Sequence, residues 1–234
     1  MSIATRRPDG TRHPDGPLYN GDRLTQAEFH RLYENAPDDT RFELVGGVVY
    51  MASPLRRIHA QYHPDLSAVL AGYVRKTPGI ELLDNATVIL GEESEPQPDL
   101  LLRILTEFGG QSREDEDGYI QGAPELVAEI AHSTRAIDMH QKRDDYARAG
   151  VREYLVLCIA ERQLHWFDFK SRRAIEADAD GVHRSRVFPG LWIDAPALLA
   201  RRDRRLHQVA KRGIASPEHA AFIKRLQMRH ERKS

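Results

Sequence analysis

Two densely apolar segments, ELVAEIA (125–131) and REYLVLCIA (152–160), flank a stretch of helical character, RAIDMHQKRDDYARAG (135–150), that closes on a glycine. Near-continuous apolar strands joined by a crossover helix require a sheet covered on both faces. The rest of the chain fits that frame. LTQAEFHRLYENA (24–36) carries a Thr-x-x-Glu capping box at Thr25 and Glu28, followed by apolar residues at helical spacing. RFELVGGVVYMAS (41–53) alternates around a Gly-Gly pair and predicts a hairpin. RRIHAQYHPDLSAVLAGYVRK (56–76) is helical in its second half, with Pro64 starting or kinking that part. Strands are expected over 80–91, 98–105, 162–170 and 172–188, a polar loop over 109–124, and helices over 196–211 and 217–233. The fold class is therefore α/β, a mixed sheet flanked by helices on both faces. It forms one domain over residues 24–200, after a disordered arm (1–22) that contains PDG twice.

Composition narrows the classes further. Apolar residues make up 41% and charged residues 29%, a soluble and globular balance. No apolar run approaches the roughly 18 residues of a membrane span. The first residues lack the apolar core of a secretory signal, so a cytoplasmic location is expected. The single cysteine, Cys158, excludes an internal disulfide and a cysteine-rich zinc site, and its apolar neighbours make it a small core residue. Residues 201–234 hold 11 of the 34 Lys+Arg but only 3 of the 35 Asp+Glu. This basic helical tail points to a polyanion or to a solvated helix.

One residue conflicts with the pattern. Glu129 lies in the middle of an apolar strand, where a charge is costly unless it is paired or binds a cation. Asp99 stands at the mouth of the 98–105 strand, after EPQP. If the two strands are neighbours, both carboxylates can converge on one divalent cation. Magnesium suits such hard oxygen donors. Lys142, on the following helix, can add a point charge that orients a nucleophile or binds phosphate. Plainer readings exist: Asp99 as a turn carboxylate, Glu129 paired with a buried arginine, and Lys142 as the i,i+4 surface partner of Asp138.

Taken with their wider context, FELVGGVVYMASP (42–54), EPQPDLLL (95–102) and GAPELVAEIAHSTRAIDMHQKRDDYARAGVREYLVL (122–157), these residues resemble the Uma family of restriction endonucleases, within the PD-(D/E)XK nuclease superfamily. The resemblance spans about residues 24–190. It implies a restriction-endonuclease-like fold and a magnesium-dependent DNA endonuclease, with manganese as a substitute ion. Asp99 and Glu129 would be metal ligands, and the peptide carbonyl of Ile130 a further one. The lysine two residues after the glutamate is replaced by Ala131, and the family's lysine on the next helix corresponds to Lys142. Glu43 corresponds to an accessory acid, and His59 to a recurrent histidine of unassigned role. DNA is the expected partner, and a homodimer is expected because two-strand cleavage commonly uses two sites. The alternative is a nuclease-fold module that binds nucleic acid or protein without catalysis.

Overall fold

The structure is a computed structural model that describes residues 16–37, 40–51, 57–132 and 135–233. The N-terminal helix α1 (Gln26–Tyr33) starts at Thr25 as the capping box requires. The Thr25 N–H donates to Glu28 at 3.0 Å, and the Glu28 N–H donates to the Thr25 hydroxyl at 3.3 Å. The hairpin β1 (Phe42–Val45) and β2 (Val48–Met51) turns through Gly46 and Gly47 at φ 57° and 74°. Two consecutive positive φ angles are what a tight hairpin turn demands, and glycine meets them without steric cost. Of the arm expected over 1–22, residues 1–15 lie outside the described residues. Leu18 is buried with Phe29, Leu32, Phe42, Leu44 and Val49 in a small core, and the Gly21 N–H bonds the Val49 carbonyl.

α2 (Arg57–Val74) is one helix that continues through Pro64 rather than beginning or breaking there. Its Tyr62, Leu66, Val69, Leu70 and Tyr73 are all buried against the sheet. That packing outweighs the loss of one helical hydrogen bond. The stretch expected as a single strand over 80–91 divides at Asn85, which has φ 51°. Its first half is β3 (Ile80–Asp84) and its second is β4 (Val88–Ile89). β5 (Leu100–Ile104) follows. The expected polar loop contains β6 (Arg113–Glu114) and β7 (Ile120–Gln121), which join β4 in a small separate sheet.

β8 (Leu126–Ala131) leads into a π-helical segment, Ile137–Lys142, and then α3 (Arg143–Ala149), which ends at Gly150 with φ 95°. Beyond it lie β9 (Glu153–Cys158), β10 (Gln163–Asp168) and β11 (Arg173–Ala174). The strand expected over 172–188 instead yields β11 and β12 (Val182–Arg184), and β12 pairs with an unanticipated β13 (Trp192–Asp194). The helix expected over 196–211 is two, α4 (Ala195–Leu199) and α5 (Asp203–Ile214), parted where Arg201 takes φ 52°. α6 (Pro217–Glu231) comes last.

The main sheet has the order β11-β10-β9-β8-β5-β3. β8 and β9 are parallel, as the crossover between them requires, and the other pairs are antiparallel. Alternation along the strands sends Leu100, Leu102, Ala128, Ile130, Leu155 and Leu157 to one face. There α2, α4, α5 and α6 cover them, so Leu206, Phe222 and Leu226 of the basic tail belong to the same core as the sheet. Leu101, Val127, Ala131, Tyr154, Val156 and Cys158 face the other way, under Tyr146 of α3. The sheet is thus mixed and flanked by helices on both faces. Among the described residues no helix is long and apolar enough to cross a membrane.

Candidate active site

The β5–β8 ladder pairs Leu102, Leu101 and Leu100 with Leu126, Val127 and Ala128. Continued by two residues, that register would set Pro98 opposite Ile130. Proline has no N–H to give, so the ladder cannot extend there. The Asp99 carboxylate fills the vacancy: its Oδ2 accepts the Ile130 N–H at 2.7 Å. The N–H and carbonyl of one residue leave an extended strand on the same side, so the Ile130 carbonyl also faces this edge. The Asp99 N–H lies 3.4 Å from Glu129 Oε2, which puts the two carboxylates side by side. The Pro-Asp pair therefore has a physical role, because it ends the ladder and places a carboxylate in the gap.

Histidines of α2 approach from the opposite face. His59 Nε2 is 3.2 Å from Asp99 Oδ2, and His63 Nε2 is 3.3 Å from the Asp99 carbonyl. Burial works against the Asp99 charge, but the hydrogen bond and charge of His59, the Ile130 N–H and Lys142 hold its carboxyl below the usual range. Burial likewise works against a charged His59, and Asp99 overcomes it, so the imidazole titrates above its ordinary value.

Glu129 meets a lysine from above the sheet. Lys142 Nζ donates to Glu129 Oε1 and to Glu43 Oε1, each at 2.9 Å, and lies 3.9 Å from Asp138 Oδ1. Lys142 is only 6% exposed, so it is no surface partner of Asp138. It ends the π-helical segment, a local widening of the helix that is frequent at functional sites. Tyr146, one turn further on, donates its hydroxyl to the same Glu129 oxygen at 3.0 Å. Glu43 is fixed in turn by the Gln97 N–H at 2.7 Å, which ties the hairpin to the EPQPD segment.

The electrostatics are those of a largely buried acidic cluster around the Lys142 ammonium. Burial pushes the Glu129 carboxyl well above its usual range; Lys142 relieves part of that rise, and Asp99, Asp138 and Glu43 add to it. Burial also opposes the Lys142 charge, yet Glu129, Glu43 and Asp138 together hold it well above the ordinary lysine value. The ammonium therefore stays charged, and burial makes Glu129 the carboxyl of the cluster that depends most on that charge.

Every residue named from the sequence, Glu43, Asp99, Glu129, Ile130 and Lys142, sits at this one end of the sheet. Sequence reasoning did not reach the role of His59, nor Gln97 or the contact of Tyr146 with Glu129. The available signals were the i,i+4 spacing of His59 and His63 and the placement of Tyr146 one turn beyond Lys142. The Ser133-Thr134 part of the STR motif lies outside the described residues.

Among the described residues no group of three or more His, Cys, Asp and Glu side chains is arranged to hold a metal ion. The donors present are two adjacent carboxylates and a strand carbonyl, all hard oxygens. Magnesium commonly takes one or two carboxylates and completes its shell with water and phosphate oxygens, so the donor set fits that ion.

A solved structure described as "a putative nuclease belonging to DUF820", from Anabaena variabilis ATCC 29413, superposes with a TM-score of 0.60 at 14% identity, over 76% of this chain and 98% of that one. At that identity the likeness shows a shared fold. No curated protein matches the chain. Residues 26–196, most of the chain and all of the site, match the family Uma2, described as "Putative restriction endonuclease". The chain belongs to the Uma2 family.

Proposed function

We propose that the chain is a magnesium-dependent DNA endonuclease that hydrolyses phosphodiester bonds. The observation that carries this reading is the convergence of Asp99, Glu129 and Lys142 at one end of the sheet, where Lys142 Nζ lies 2.9 Å from Glu129 and the Asp99 N–H 3.4 Å from the same carboxylate. Asp99, Glu129 and the Ile130 carbonyl would hold the cation, with manganese an acceptable substitute for oxygen donors. When bound, magnesium lowers the pKa of water and neutralises charge developing on the phosphate. Lys142 orients the attacking water and offsets negative charge beside it. Glu43 accepts from Lys142 and keeps the ammonium over Glu129, while His59 keeps Asp99 ionised. The water oxygen bonds to phosphorus as the P–O bond to the departing sugar oxygen breaks; the water gives up a proton to solvent and the departing oxygen takes one, which leaves a phosphomonoester and a free hydroxyl. Cleavage of both strands would use a homodimer.

A second reading is a nuclease-fold module that binds nucleic acid or protein without cutting. It is favoured by the way Lys142 and Tyr146 already occupy Glu129 Oε1. Incubating the purified protein with plasmid and oligonucleotide DNA across magnesium and manganese concentrations separates the two. Nicked or linear product that requires the cation and vanishes in Asp99→Asn supports the endonuclease. Cation-independent retention of DNA without product supports the module.

A further inference from the structure

A cavity of about 780 Å³ opens at the end of the sheet opposite Asp99 and Glu129. From Asp99 to Ile104, which lines it, the chain runs about 17 Å along β5 at the usual rise per residue. One wall is made of chain around the strand ends: Val151 and Arg152 before β9, and Phe169 and Lys170 after β10. The facing wall is α6, through Phe222, Arg225, Leu226 and Arg229. The family match stops at residue 196, so that wall comes from outside it.

Five cations line the cavity, namely Arg152, Lys170, Arg186, Arg225 and Arg229, against the single carboxylate of Asp168. Arg186 Nη1 donates to Asp168 Oδ2 at 2.9 Å. Lys170, Arg225 and Arg229 make no ion pair with a carboxylate among the described residues; Arg152 donates to the Gln111 amide oxygen at 2.9 Å, and its charge also acts on the buried Glu125. Two buried carboxylates stand behind the wall, but their oxygens already have donors. Glu125 accepts the N–H groups of Ile104 and Gln111, and Glu153 accepts those of Arg186 and Val187. Apolar surface is available beside the charge. Phe169 and Val187 are half-buried, and the Arg225 guanidinium lies 5.5 Å from the Phe222 ring centre.

We infer that this cavity binds a nucleoside polyphosphate, with its phosphates on Arg152, Lys170, Arg225 and Arg229 and its base against Phe169 and Val187. A concavity lined by five cations and one carboxylate favours a ligand that carries several negative charges close together, and guanidinium forks match phosphate oxygens. The volume lies within the usual range of small-molecule sites, roughly 300–1,000 Å³. A nucleic-acid duplex rests on a surface and cannot enter a cavity of this size. The mixed lining also suits a ligand with an ionic end and a flat apolar end.

The test is isothermal titration of the full chain in EDTA, with three probes: ATP, inorganic tripolyphosphate, and a six-residue single-stranded thymidine oligonucleotide. EDTA removes any cation-mediated contact at the Asp99 end, and cleavage is not measured, so the result is independent of the nuclease reading. ATP should bind more tightly than tripolyphosphate, and the oligonucleotide more weakly than either. The double variant Arg225→Glu/Arg229→Glu should weaken ATP binding by about tenfold or more, since each charge-assisted bond is worth about that much. Both side chains are exposed on α6, and thermal melting checks that the fold is kept. Lys211→Glu/Arg212→Glu, an equal charge change on exposed positions of α5, should leave ATP binding within twofold. Absence of ATP binding, equal loss in both double variants, tripolyphosphate as tight as ATP, or tighter oligonucleotide binding would each overturn the inference.

Discussion

Replacing Lys142 by methionine removes the ammonium that Glu43, Glu129 and Asp138 share while keeping a side chain of similar length. Breaking a buried ion pair on one side costs about 3–5 kcal/mol when the remaining charge stays ionised. Glu129 can escape part of that cost by taking a proton, because burial and its acidic neighbours already push its carboxyl up. The sign follows from linkage. Lys142 titrates well above its unfolded value, so its stabilisation is complete below about pH 10 and lost only as pH rises through the folded pKa. In the variant, Glu129 is raised without relief, and its ionisation costs stability as pH climbs. Urea unfolding should therefore show a small deficit at pH 5 and a deficit approaching about 3 kcal/mol at pH 8. Single-turnover cleavage should fall by roughly 10²–10³, the scale of losing one positioned donor that stabilises developing charge. Magnesium binding, followed by calorimetry, should persist because Asp99, Glu129 and the Ile130 carbonyl remain. Cleavage at the wild-type rate would refute the catalytic assignment and leave Lys142 as a structural counter-ion. A deficit that does not change between pH 5 and 8 would refute the electrostatic account of Glu129.

Asp99→Asn and Glu129→Gln should each abolish cation-dependent cleavage with the fold intact by circular dichroism, since the amide oxygen introduced by Asp99→Asn can still accept the Ile130 N–H; full activity in either variant removes that residue from the ligand set. His59→Gln should lose stability mainly between about pH 4 and 6.5. Asp99 is depressed, so its contribution is present above its unfolded pKa near 3.8, whereas the raised His59 contributes fully below its unfolded pKa near 6.5 and loses that as pH rises through the folded value. Urea midpoints at pH 5 and pH 8 that shift equally would count against the ion pair. Phe222→Ala should cost about 3–5 kcal/mol by thermal or urea unfolding, because α6 is built into the main core; a cost near zero would mean that the helix is a detachable tail.

Much of this molecule follows from local pattern. The capping box at Thr25, the Gly46-Gly47 turn and the apolar strands around a crossover helix are decided by period, propensity and φ. Those terms act within a few residues, so they can be read along the chain. The same holds for the two chemical anomalies, a proline before Asp99 and a charge inside the Glu129 strand. What local pattern cannot supply is which distant groups answer those anomalies. Glu43 reaches Lys142 across 99 positions in sequence, and His59 reaches Asp99 across 40. Those meetings depend on β5 and β8 being neighbours and on α2 packing against that sheet, both consequences of burying the whole core at once. The continuity of α2 through Pro64 is of the same kind, since packing overrides a local breaker. So is the inward aim of Lys142. Spacing alone pairs it with Asp138 on one helix, and only the widened π turn and the packing of that helix on the sheet put its ammonium on Glu129. The basic C-terminal segment shows the limit most plainly. Its charge is visible in composition, but its role as one wall of a cavity exists only because Phe222 and Leu226 are drawn into the core and leave Arg225 and Arg229 on the cavity side of the helix.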